Sequence, residues 1–160
     1  MPDLDPDRLL WIVTGVQLNA ELGDRPLAYR IEREVKDRLA ALLPAPDPAD
    51  AGEPPRQPRL APVVVSDVYY LNSDDAQRGP TISVGGPGVN AVSASLAEKL
   101  PTPVAIENTL VVQMDLEMDD VRCAVWGMNH LDTVRAVDLF IAKGYLETFV
   151  RGVVRKVVAD

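Results

Sequence analysis

The stretch Thr81-Ile82-Ser83-Val84-Gly85-Gly86-Pro87-Gly88-Val89-Asn90, continuing into Ala91-Val92-Ser93-Ala94-Ser95-Leu96, constrains the fold more than any other part of this chain. A short apolar run, a glycine turn and a helical stripe of Val89, Val92, Leu96 and Leu100 follow one another without a gap. A strand running straight into a helix is the building step of α/β proteins. Such a turn can aim backbone N–H groups and a helix N-terminus at an anion. It can equally be a tight connection and nothing more, and the residues leave both readings open.

The segments on either side extend the pattern. Leu9 to Val16 is a continuous apolar run rich in β-branched residues, as expected of a strand covered on both faces in a parallel sheet. In Gly23-Asp24-Arg25-Pro26, Asp24 is suited to cap a helix and Pro26 to its first turn. Leu27, Ile31, Val35 and Leu39 then recur at four-residue steps, the stripe of an amphipathic helix. Pro62 to Leu71 is expected to form a second long strand, followed by the polar turn Asn72-Ser73-Asp74-Asp75.

Pro101 and Pro103 close the helix that follows the glycine turn. Three short strands are expected at Val104–Glu107, Thr109–Leu116 and Val121–Trp126, the last two joined as a hairpin through Glu117–Asp120. A final helix, capped by Asn129 or Asp132, carries Val134, Val137, Phe140, Ile141, Tyr145 and Phe149, with Gly144 inside it as a kink or a close contact. Seven prolines between Pro44 and Pro62 mark an exposed loop within one domain spanning residues 1–160. The expected fold is therefore a three-layer α/β sandwich. It has a mostly parallel sheet, an antiparallel hairpin and about three flanking helices.

Composition narrows the function classes. The net charge of −8 over 160 residues disfavours nucleic acid as a partner, because a phosphate backbone would be repelled. The acidic start Met1–Arg8 does not read as a signal peptide, and the apolar run after it is too short to span a bilayer. No membrane partner and a cytoplasmic location are the expectations. Cys123 is alone in an apolar run, so no internal disulfide forms and a buried thiol is expected.

Gly86-Pro87-Gly88-Val89-Asn90-Ala91 satisfies G-x-G-x-x-G/A, with Glu107 near the end of the next expected strand to hold a ribose. Pro87 stiffens that turn and removes a donor, and the motif falls at the third strand instead of opening the fold, so a structural turn is favoured. Asn90 can bond the neighbouring backbone or face a ligand, with the structural role favoured. His130 is the lone histidine and lacks the partners of a triad; it reads as a loop residue beside a helix cap. No serine elbow is present, and one histidine with one cysteine excludes a structural zinc site.

Asp67, Asp74, Asp75, Asp115, Asp119 and Asp120 are oxygen donors of the kind hard cations use. Asp67 stands out because a charge inside an apolar strand needs a partner: Arg25, Arg30, a neighbouring helix end or a ligand. Asp24 and Arg25, after the first strand, would lie near the same sheet edge. The carboxyl edge of parallel strands is where ligands bind in such sheets.

The turn Val84-Gly85-Gly86-Pro87-Gly88-Val89-Asn90, with Val125-Trp126-Gly127 and Asp132-Thr133-Val134-Arg135-Ala136 downstream, resembles the GGP-x-x-N α/β module of archaeal S-layer and related prokaryotic proteins. The resemblance covers residues 83–136 and implies a structural or interaction unit without established catalysis. The leading expectation is a non-catalytic module that binds a protein partner or a second copy of itself, without cofactor or metal. Its motive is a missing catalytic set and a C-terminal helix whose Val153, Val154, Val157 and Val158 exceed one stripe. The alternative is a small sensor or enzyme holding an anionic ligand, such as a nucleotide, with Gly85, Gly86, Gly88, Asn90, Asp67, Asp24 and Arg25.

Overall fold

The computed structural model describes residues 5–42, 49, 52 and 60–159. A 3-10 turn at Pro6–Arg8 leads into β1 (Leu9–Thr14), α1 (Leu18–Leu42) and β2 (Ala61–Ser66). Two short helices, α2 (Asp67–Leu71) and α3 (Asp74–Arg78), precede β3 (Thr81–Val84) and α4 (Ala91–Leu96). The hairpin strands β4 (Val104–Ile106) and β5 (Leu110–Met114) come next, then β6 (Arg122–Gly127), α5 (His130–Ala142) and α6 (Tyr145–Ala159).

The strands form one sheet in the order β2-β1-β3-β6-β5-β4. β2, β1, β3 and β6 run parallel, while β5 is antiparallel to both β6 and β4. The expected α/β class, with its mostly parallel sheet and antiparallel element, is what the chain adopts. Residues of β1 are buried on both faces, which explains its unbroken apolar run. Leu10 and Ile12 join a core with Leu27, Ile31, Val35 and Leu39 of α1 and with residues of α5 and α6. Leu9, Trp11 and Val13 join a second core with Tyr70, Ala76, Val92 and Leu96. The long helices α1, α5 and α6 thus cover one face, and the short α2, α3 and α4 cover the other.

Local expectations need correction at three places. Helix α1 starts at Leu18, so Asp24 is not its cap and Pro26 lies inside it. A helix of this length outweighs the single backbone bond that Pro26 forfeits. The strand expected to run to Leu71 ends at Ser66, whose Oγ accepts from the Tyr69 amide at 3.1 Å and starts α2. Ser73 does the same for α3, so the expected polar turn carries a helix start. The final helix is two: Gly144 adopts φ +83° after α5, a left-handed position that ends a helix.

The proline-rich loop expected at 44–62 falls outside the described residues, apart from 49, 52 and 60–62, of which 61 and 62 already belong to β2. Among the described residues no helix is long and apolar enough to cross a membrane. Cys123 is buried and free, as its apolar neighbours implied.

Candidate functional site

The strand order reverses direction at β1. From there the chain goes first to β2 on one side and then to β3 on the other. At such a switch point the connections leave the carboxyl ends of adjacent parallel strands on opposite faces, and a crevice opens between them. A cleft of about 630 Å³ occupies that position. Its lining comes from the first turns of α1, from Gly86, Pro87, Gly88 and Val89 after β3, and from Trp126 to His130 at the end of β6. This volume lies within the range of about 300 to 1,000 Å³ typical of small-molecule sites.

Asp24 projects from the second turn of α1 into this lining and is only 6% exposed. No described residue donates a hydrogen bond to its carboxylate. Burial therefore raises its pKa from 3.8 to about 6, with His130 acting in the opposite direction. A carboxylate this deep without a described donor is costly, and a glycine leaves it room. A Cβ on Gly85 would sit 2.5 Å from Asp24 Oδ2, and Gly85 has φ +104°. A Cβ on Gly23 would sit 2.8 Å from His130 Nδ1. The carboxylate and the imidazole can lie close to the backbone because those side chains are missing.

The glycine turn itself is built by Asn90. Its Oδ1 accepts from the Val92 and Ser93 amides at 3.0 and 3.4 Å, capping α4. Its Nδ2 donates to the carbonyls of Val13 and Val84 at 3.1 and 2.9 Å. The carboxamide is 1% exposed and wholly engaged, so it ties the ends of β1 and β3 to α4. Asp67 plays a related part. It accepts from its own neighbour Val68 at 2.8 Å and from the Ala91 amide at 2.9 Å, which is the helix-end pairing among the sequence alternatives.

The structure thus gathers Asp24, Gly86 and Gly88 in the cleft lining, with Gly85 directly beneath Asp24. Asn90 and Asp67 are framework residues behind the turn and do not line the cleft. Arg25 also stays out of it; its Nε and Nη2 donate to Glu21 at 2.7 Å each. Glu107 lies at the β4–β5 turn with φ 49°, and β4 is three strands from β3. At about 4.8 Å per strand, that acid is too distant to hold the ribose adjoining a pyrophosphate on the glycine turn.

Sequence reasoning missed Gly23, Trp126, Met128 and His130, all of which line the cleft. The available signal was position: the residues that follow an interior parallel strand stand at its ligand-binding edge. His130 opens α5 just after its cap Asn129, whose Oδ1 accepts from the Asp132 amide at 2.9 Å. Thr133 Oγ1 accepts from the Gly127 amide at 3.1 Å and fixes the approach of α5 to β6.

Fold and site together describe an open-sheet α/β protein with an acidic cleft at the carboxyl edge of its parallel strands. No protein-family model and no curated protein matches the chain.

Proposed function

We propose that this protein binds a small organic molecule in the cleft between the first turns of α1, the Gly86–Gly88 turn and the start of α5. The observation that carries this reading is Asp24, a buried carboxylate without a hydrogen-bond donor among the described residues, which faces a cavity of ligand size. A group of this kind lowers stability and is retained where a ligand completes its bonding. Amide chemical-shift mapping against a small-molecule panel tests the reading. Binders are expected to move the resonances of Gly23, Gly86, Gly88 and His130. A ligand at a hundred times its dissociation constant should also stabilise by about 2.7 kcal/mol. A panel whose binders all map elsewhere would refute the assignment.

One observation favours the second reading, a cytoplasmic interaction or self-association module like the unit that residues 83–136 resemble. Val16, Leu18, Leu22, Met128 and Leu131 are between 47% and 71% exposed around the strand edge that holds the cleft. Val153, Val154 and Val157 of α6 do not contribute to it, since the first is buried and the other two pack on the core. A sedimentation series showing a monomer at every concentration would remove self-association.

A further inference from the structure

Among the described residues the cleft lining holds one carboxylate, Asp24, one imidazole, His130, and no lysine or arginine. Arg25, the nearest cation in sequence, is committed to Glu21 through two bonds. An anion at depth would meet Asp24 with no described lysine or arginine in the lining to offset it. Leu22, Pro87, Val89, Trp126 and Met128 supply apolar walls, and the chain's net charge of −8 raises the local concentration of cations.

Resting on the ligand-binding reading above, we infer that the cleft takes an organic cation with an apolar body, whose protonated nitrogen donates to the Asp24 carboxylate. A charge-assisted bond gives Asp24 the partner it lacks and is stronger than one from a neutral donor. Trp126 adds an aromatic ring to the cleft wall, a surface that attracts cations.

The groups facing Asp24 from each packed element are few. From α5 comes His130, while Asp132 is paired with Arg135. On α1 itself Glu21 and Arg25 pair with each other. The glycine turn and the segment after β6 bring no titratable group before His130. A cation selects the ionised form of Asp24, which titrates at about 6 in the free protein. Its affinity should therefore rise about tenfold from about pH 5 to about pH 7, following the ionised fraction. An anionic ligand would show the opposite slope.

Calorimetric titration with 2-phenylethylamine, 2-phenylethanol and 3-phenylpropionate separates the cases. The amine is expected to bind at least about tenfold more tightly than the alcohol, with affinity rising with pH. Asp24→Asn should abolish that preference. Met128→Arg, at a rim side chain that is 67% exposed, should weaken the amine and spare the fold, and it serves as the test should the Asp24 variant not fold. Equal or tighter binding of the alcohol or the carboxylate overturns the inference and leaves the cleft a binding site. Absence of heat from all three overturns the inference, while the chemical-shift panel decides the binding reading separately.

Discussion

Replacing Asp24 with asparagine should make this protein more stable at neutral pH. The carboxyl is 6% exposed and titrates at about 6 instead of 3.8, because burial penalises its charged form. Between those two values the folded state holds a proton that the unfolded chain has released. Stability therefore falls as pH rises through that window. Below it both states are protonated and the cost is absent. Above it both are ionised and the full cost remains. A displacement of about two pKa units corresponds to about 3 kcal/mol. That figure is an upper bound, since water in the cleft screens the charge and the new amide needs partners of its own.

Asp24→Asn keeps the shape and removes the charge. The expected gain at about pH 7 is 1–3 kcal/mol, or about 3–10 °C in Tm for a chain of this length. It should shrink toward zero at about pH 4. Urea unfolding of both proteins at four pH values between those limits measures the difference directly. A variant less stable than the parent at neutral pH would refute the reasoning, because it would mean that the carboxylate is held by favourable bonds. A gap that does not change with pH would refute it as well.

Asn90→Ala removes the cap of α4 and leaves the buried carbonyls of Val13 and Val84 without their donor. A loss of about 3 kcal/mol is expected from chemical denaturation, the sum of a cap and one strongly desolvated pair. Ser83 and Ser93 share a buried hydroxyl bond of 2.8 Å between β3 and α4. Either single alanine variant should cost about 1–2 kcal/mol by stranding the other hydroxyl, whereas the double variant should cost little more than one of them. An additive double variant would show that the two hydroxyls are solvated independently.

Much of the architecture was legible because apolar periodicity reports burial. The unbroken run of β1 identified a strand covered on both faces, and Leu27, Ile31, Val35 and Leu39 identified the buried stripe of α1. The stripe Val92, Leu96 and Leu100 likewise predicted the face that α4 and its following turn pack on the sheet. Helix boundaries were less legible where two local signals competed. Gly23 and Pro26 read as a helix start, yet they lie within α1. Gly23 is needed there because its missing side chain admits His130, a contact with a residue more than a hundred positions away.

The same distinction separates the site residues. Sequence alone determined that a glycine turn joins β3 to a helix, that Asn90 is suited to hold it, and that ligands would be sought at the carboxyl edge of the sheet. Only the tertiary structure decided that Asn90 and Asp67 use their polar atoms within the framework and that Arg25 answers Glu21. It also decided that Asp24 and His130, from helices distant in sequence, face one cleft. Local pattern reports which residues are buried and which turns are tight. Whether a buried polar group has a partner depends on which strands become neighbours, and in this fold the sheet order β2-β1-β3-β6 leaves Asp24 without a hydrogen-bond donor among the described residues.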